Sequence, residues 1–169
     1  LIYSPDADMI LLSLILPIDL NIQIYRHNQQ QSDETDFYNV ININQLAKTI
    51  YDKINQNVIN FKREINIKQT LNDIVFIFTI FGDDFLPKID TFDVRKDIDI
   101  IFEIYSLTLG LKPNEYLINL FGKKHEINLS FFKQLLYNMK IIEKRLSIIN
   151  KKAVKYHNYN SYIENKVKR

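Results

Sequence analysis

The sequence has 169 residues, of which 46% are hydrophobic and 25% are charged, and its formal net charge is +2. This composition is typical of a globular protein with a real core, and it excludes an intrinsically disordered chain. The chain has no cysteine, which excludes a disulfide framework and a thiolate metal site. It also has no run of the roughly 18 apolar residues that a membrane span requires. We therefore expect an intracellular protein, cytoplasmic or nuclear, with no membrane partner.

The first predicted element is a short strand that leads into an acidic turn. Residues 1–3 are typical of the end of a buried strand, and Pro5 favours a sharp turn after it. Asp6 is then predicted to be the N-cap of a helix that runs to about Ile15, with Asp8 in its first turn.

Two further strands and a helix are predicted next. Residues 21–26 alternate between apolar and polar side chains, which predicts a half-buried strand, and residues 37–43 predict another. Residues 28–36 are polar and acidic and predict an exposed loop. The helix that follows has an apolar face with a spacing of four residues, made of Leu46, Ile50, Ile54 and Val58.

A second acidic pair follows the next predicted helix. Residues 67–81 are apolar nearly all round after Asp73, which predicts a deeply buried helix, and Gly82 is predicted to end it. Asp83 and Asp84 come directly afterwards.

The second half of the chain is predicted to be all-helical. Residues 97–109 are predicted to form a helix that Gly110 stops, and Asn128 is predicted to cap a long helix after it. The apolar stripe of the first of these helices consists of Ile98, Ile101, Phe102, Tyr105 and Leu109. Residues 151–169 form a basic, tyrosine-containing tail. The predicted apolar face of the last helix consists of Leu129, Phe132, Leu136, Met139, Ile142, Leu146 and Ile149.

The two acidic pairs indicate a site for hard cations. Carboxylates next to apolar runs are costly unless a cation or another partner neutralises them, and aspartate oxygens suit Mg²⁺ or Mn²⁺. Two such ions about 3.5–4 Å apart would support in-line displacement at phosphorus. The plainer alternatives are that Asp6 and Asp8 only cap a helix, and that Asp83 and Asp84 form a solvated turn.

These segments resemble the Xrn-type 5′→3′ exoribonucleases. Residues 4–12 are similar to the Asp-Ala-Asp-Leu-Ile signature of that family, and residues 72–87 are similar to its buried helix that ends in Gly-Asn-Asp-Phe-Leu-Pro. Weaker similarities continue through residues 94–105 and 116–143, so that the resemblance covers roughly residues 1–150 in order.

The resemblance implies a function and a set of site residues. Asp6, Asp8 and Asp84 match the metal-binding aspartates of the family, whereas Asp83 stands where the family usually has asparagine and would add a carboxylate to the metal site. The implied activity is hydrolysis of RNA with a 5′ monophosphate to mononucleotides, with two Mg²⁺ or Mn²⁺ ions as cofactors.

The resemblance also implies a fold and a division into parts. We expect an α/β protein with a partial PIN/flap-nuclease-like parallel-sheet core followed by an all-helical segment. Residues 1–90 would be the C-terminal part of the nuclease core, residues 91–150 the start of the helical region and residues 151–169 the tail. The remaining acidic residues and the 5′-phosphate pocket would come from an upstream part of the same polypeptide, so that this chain alone is expected to be inactive.

Two other functions fit parts of the sequence. A haloacid dehalogenase-like phosphatase also uses Asp-x-Asp after a strand, but there the first aspartate is a nucleophile, and an apolar strand precedes its Gly-Asp segment. The second alternative is an inactive Xrn-like module retained for RNA binding or scaffolding. Metal-dependent stabilisation would distinguish a cation site from such a scaffold.

Overall fold

The computed structural model of the chain describes residues 1–27, 38–82, 94–121 and 124–146. The predictions for Asp83 and Asp84, for the loop 28–36 and for the tail 151–169 lie outside these residues.

The N-terminal part forms a three-stranded sheet. Its strands are β1 (Ile2–Tyr3), β2 (Gln23–His27) and β3 (Tyr38–Asn42), in the order β1-β2-β3. The first pair is parallel and the second is antiparallel. The parallel pair needs a crossover, which is supplied by helix α1 (Asp8–Leu14) and a short 3-10 helix. The predicted strands are confirmed, but the sheet is mixed rather than purely parallel. The prediction that the first strand is buried is wrong, since Leu1 is 85% and Tyr3 65% exposed.

Helix α2 (Ile43–Val58) begins at a side-chain cap. Asn42 Oδ1 accepts a hydrogen bond from the Gln45 N–H at 3.0 Å, which satisfies one of the unpaired donors of the first turn. The apolar face predicted for this helix is confirmed at three of its four positions, and Leu46 is half-buried. The buried residues of α2 are Ile43, Ala47, Ile50, Ile54 and Val58.

Helices α3 (Ile67–Gly82) and α4 (Val94–Leu111) complete the packing around α2. Residues 70–80 of α3 are all buried or half-buried, as its apolar sequence predicts. Helix α2 packs against both α3 and α4, and α1 packs against α2 and α3. The core therefore lies among the helices, on one side of the small sheet.

Gly110 does not stop α4, which continues to Leu111. Its role is close packing, because a Cβ atom built at this position would collide with the ring of Phe61. The predicted helix stop is wrong, and the missing side chain is what lets the ring lie against the helix.

A β-hairpin follows α4, so the prediction of an all-helical second half is wrong. Strands β4 (Ile118–Phe121) and β5 (Lys124–Ile127) pair antiparallel, with Ile118 opposite Ile127. Four-residue strands are too short for a clear period in the sequence. Tertiary hydrogen bonds to the start of β4 hold the hairpin against α3.

Helix α5 (129–146) is the last described element, and its predicted cap is confirmed. Asn128 Oδ1 accepts hydrogen bonds from the Ser130 and Phe131 N–H groups at 3.0 and 3.1 Å. The predicted apolar face is partly wrong, since Leu129 is 64% exposed and Leu136 39% exposed. The buried face consists of Phe131, Leu135, Asn138 and Met139.

None of the helices in the described ranges combines the length and apolar character that crossing a lipid bilayer would demand.

Candidate functional site

The first acidic pair lies in the turn between β1 and α1. The backbone N–H of Asp6 donates to Ser4 Oγ at 3.1 Å, and the Asp8 N–H donates to Asp6 Oδ1 at 3.0 Å. The helix begins at Asp8 with Ala7 at its N-cap, so the prediction of Asp6 as the N-cap is wrong by one residue, and Asp6 lies directly before the observed cap. The turn thus holds the Asp6 carboxylate by one oxygen and leaves the other oxygen able to bind a cation.

This acidic pair is more exposed to solvent than the apolar residues around it in the sequence suggest. Asp6 is exposed and Asp8 is half-buried, although apolar residues flank both. Burial therefore imposes little penalty on the Asp6 carboxylate in this part of the protein. An exposed carboxylate remains a good ligand for Mg²⁺, which keeps several water molecules in most protein sites.

Helix α1, whose first residue is Asp8, packs against α3. Helix α3 ends at Gly82, the residue directly before Asp83 and Asp84. These two aspartates lie outside the described residues. Within the described ranges, no three acidic, histidine or cysteine side chains are grouped as a metal site requires.

Asp73 in the middle of α3 is a buried carboxylate that accepts three hydrogen bonds. Its Oδ2 accepts from the Tyr105 hydroxyl at 2.7 Å and from the Leu117 N–H at 2.8 Å. Its Oδ1 accepts from the Ile118 N–H at 2.8 Å. One side chain of α3 thereby joins α4 and the first strand of the hairpin, and it satisfies backbone donors that would otherwise be buried without partners.

Burial dominates the electrostatics of this carboxylate. It raises the pKa of Asp73 from 3.8 to about 7, against the opposing effect of its three hydrogen-bond donors and of the Arg63 charge. Burial also raises the pKa of Tyr105 well above 10, and the neighbouring Asp73 charge adds to this shift. The phenol of Tyr105 consequently stays protonated at neutral pH and remains a hydrogen-bond donor.

Arg63 forms hydrogen bonds at the C-terminal end of α4, close to the residues that bind Asp73. Its guanidinium donates to the carbonyl oxygen of Leu109, to that of Lys112 at 2.7 Å and to that of Glu115 at 2.7 Å. A cation at a helix C-terminus also interacts favourably with the helix dipole. The guanidinium lies 4.8 Å from the centre of the Tyr116 ring, which places it in cation–π range.

A further polar pair lies between α4 and α5. Asn138 Nδ2 donates to Thr108 Oγ1 at 2.9 Å, and both residues are buried. The Thr108 hydroxyl in turn donates to the Ile104 carbonyl at 2.8 Å. This pair fixes which face of α5 is directed at the core.

The sequence prediction did not identify Asp73, Arg63 or Asn138 as structural residues. A charged residue within a deeply buried helix was the available signal for Asp73, because such groups are rarely buried without partners. No local pattern marks Arg63, whose partners lie 46 to 52 residues away.

Comparison with known proteins adds two findings. Residues 64–169 match the family model described as the Xrn1 helical domain. A protein of Acanthamoeba polyphaga mimivirus, named as a candidate 5′-3′ exonuclease, is 40% identical over 144 residues. That match covers 82% of this chain but only 23% of the viral protein, so the chain spans about a quarter of the length of this relative.

Proposed function

Because the chain belongs to the Xrn-type 5′-3′ exonuclease family, we propose that it forms part of a metal-dependent 5′→3′ exoribonuclease. The proposed substrate is RNA with a 5′ monophosphate, and the products are mononucleotides. The upstream acidic residues and the pocket for the 5′ phosphate are assigned to the part of the polypeptide that corresponds to the rest of the longer relative.

The packing of α1 against α3 is the structural observation that supports this proposal most directly. It brings together the helix that begins at Asp8 and the helix that immediately precedes Asp83 and Asp84 in the sequence. Two acidic segments about 75 residues apart are therefore attached to neighbouring helices, as a shared cation site needs.

We assign the metal ligands to Asp6, Asp8 and Asp84, with Asp83 as an additional carboxylate. The hydrogen bond from the Asp8 N–H fixes the Asp6 carboxylate before an ion binds, which lowers the entropic cost of forming the site. Mg²⁺ or Mn²⁺ bound there would supply an activated water and stabilise the leaving oxygen. The carboxylates themselves position the ions and compensate their charge.

The structure does not favour the phosphatase alternative. A haloacid dehalogenase-like enzyme would require a strand before the Gly-Asp-Asp segment, whereas α3 is helical up to Gly82. The scaffold alternative is separated from the nuclease by metal binding, since a module with no ion site gains no stability from Mg²⁺.

A metal titration of this chain tests the assigned ligands. We expect Mg²⁺ or Mn²⁺ to raise the melting temperature of the wild type. At a metal concentration of 100 times the dissociation constant, binding would add about 2.7 kcal/mol to the free energy of unfolding. The variant Asp6→Asn/Asp8→Asn should lose this increase. The control Asp19→Asn/Asp52→Asn removes two exposed carboxylates elsewhere in the chain and should keep this increase. An equal increase in both variants would remove these aspartates from the site.

Activity is tested in the full-length polypeptide. We expect Asp84→Asn to cut the release of mononucleotides from RNA with a 5′ monophosphate severely, while its melting temperature without metal stays close to that of the wild type. Near-normal turnover by this variant would contradict the nuclease assignment. The chain 1–169 by itself should release no mononucleotides under the same conditions.

A further inference from the structure

The exposed side of α5 has an ordered pattern of cations around one aromatic ring. Its buried side is centred on Phe131 and Leu135. On the opposite side lie Lys133, Tyr137 and Lys140, followed by Lys144, and all four residues are exposed. We call these four residues the lysine–tyrosine stripe.

The spacing places the members of the stripe on one line along the helix. Steps of four, three and four residues keep them within about 60° of one another around the helix axis. From Lys133 to Lys144 the line is about 16 Å long, at 1.5 Å per residue. The same side chains can therefore contact a single extended ligand.

A fourth cation extends the line towards the start of α5. Lys112, just beyond α4, donates from Nζ to Ser130 Oγ at 2.9 Å. Ser130 is one turn before Lys133, so this hydrogen bond holds the ammonium group beside the N-terminal end of the stripe. The positive potential thus continues past the helix itself.

The aromatic ring distinguishes this surface from an ordinary solvated helix face. Tyr137 is 60% exposed between Lys133 and Lys140, and the neighbouring Leu136 is 39% exposed. Solubility needs only the lysines, and it gains nothing from a ring among them. Within the described ranges, none of the three stripe lysines forms an ion pair with a carboxylate.

We propose that the lysine–tyrosine stripe of α5 binds single-stranded RNA, a contact that rests on the proposed function for its choice of nucleic acid. The three lysines bind successive backbone phosphates, and Tyr137 stacks on a base between them. Cations that follow the backbone and an aromatic ring that stacks on bases are the combination by which proteins hold single strands without reading their sequence. The stripe contains no carboxylate, so it holds RNA and takes no part in hydrolysis.

Binding by the full 169-residue chain tests the proposal. The probe is a fluorescent oligouridine with a 5′ hydroxyl, and its anisotropy is measured in EDTA over a range of salt concentrations. The test variant is Lys133→Gln/Lys140→Gln/Lys144→Gln. The matched control, Lys48→Gln/Lys62→Gln/Lys68→Gln, removes the same charge from exposed positions outside α5.

We expect the stripe variant to weaken binding at least about tenfold and to lower the slope of log K against log salt by about 2, since each phosphate contact on a single strand contributes about 0.7. The control should change affinity less than about twofold. Tyr137→Leu should weaken binding about fivefold or more and leave the salt slope unchanged, whereas Tyr137→Phe keeps the stacking surface and should bind as the wild type does.

Three results would overturn the proposal: equal losses in the two triple variants, no loss with Tyr137→Leu, or displacement of the RNA by polyglutamate at an equal concentration of charges. Any of these would leave the nuclease assignment intact, because EDTA and the 5′ hydroxyl exclude hydrolysis from the measurement. Conversely, if a full-length protein bound RNA through the stripe but released no mononucleotides, the nuclease assignment would be overturned and the proposed RNA contact would stand.

Discussion

The hydroxyl of Tyr105 donates to Asp73 Oδ2 across 2.7 Å, and this contact joins the two apolar helices α3 and α4. The same carboxylate holds the first residues of the hairpin. Removing any donor leaves a buried carboxylate with fewer partners, which costs more than the hydrogen bond itself contributes.

Tyr105→Phe is therefore expected to lower the free energy of unfolding by about 1–3 kcal/mol, because the ring stays in place and only the donor is lost. Chemical denaturation measures this change. Tyr137→Phe provides the control, since it deletes the hydroxyl of a residue that is 60% exposed and should leave the stability unchanged. Equal stability of wild type and Tyr105→Phe would show that the contact contributes nothing.

The raised pKa of Asp73 predicts the direction of a pH effect. Between about pH 4 and pH 7 the folded state holds a proton on this group that the unfolded state has released. The contribution of Asp73 to stability is thus fully present below about pH 4 and falls as the pH rises to about 7, by up to about 4 kcal/mol. Above pH 7 it no longer changes.

The difference in unfolding free energy between wild type and Asp73→Asn, measured from pH 4 to pH 8, isolates this contribution because other groups cancel. We expect the wild type to lose stability relative to the variant as the pH rises. A difference that grows in favour of the wild type would mean that the three donors keep the carboxylate ionised in spite of its burial.

Arg63→Lys should destabilise the protein by about 1–2 kcal/mol although the positive charge is kept. A single ammonium group cannot reproduce the fork that reaches the carbonyl oxygens of Lys112 and Glu115 together. Arg145→Lys, at an exposed position of α5, is the matched control and should have no effect. Thermal denaturation of the two variants measures this difference. Equal melting temperatures would show that the two-pronged hydrogen bonding of the Arg63 guanidinium does not stabilise the protein.

Gly110→Ala should destabilise the protein by about 1–3 kcal/mol, because the new methyl group collides with the Phe61 ring. In a Phe61→Ala background the same substitution should stabilise by up to about 1 kcal/mol, since alanine favours a helix more than glycine does. This reversal of sign is measured in a double-mutant cycle. If alanine destabilises equally in both backgrounds, close packing is not the reason for the glycine.

Helices α2 and α5 could be located from the sequence because their apolar periodicity is strong and their caps are local. Asn42 and Asn128 act at the helix starts through side chains within three residues of their partners. The hairpin could not be predicted in this way, since its first strand is held by Asp73, 44 residues earlier. Short strands held by distant partners leave no local pattern to detect.

The buried face of α5 was predicted partly wrongly for a related reason. Apolar residues cover more than one side of this helix, so periodicity alone allowed a face centred on Leu136 as well as the observed one on Leu135. The choice depends on the buried hydrogen bond between Asn138 and Thr108 and on the packing of the Phe131 ring against Tyr105, with the ring centres 6.0 Å apart. Of the candidate site, the turn at Asp6 and Asp8 was placed correctly after β1, whereas the ligand roles of Asp6, Asp8, Asp83 and Asp84 stay predictions.

Asn128 closes the base of the hairpin as well as capping α5. Its N–H donates to the Leu117 carbonyl at 2.8 Å, and its side chain reaches Glu115 Oε2 at 3.0 Å. These hydrogen bonds join the two ends of the hairpin next to α4 and α5. The position of α5 therefore depends on this end of the hairpin rather than on the connection between the strands. An insertion engineered between the two strands should accordingly be tolerated without displacing the helix.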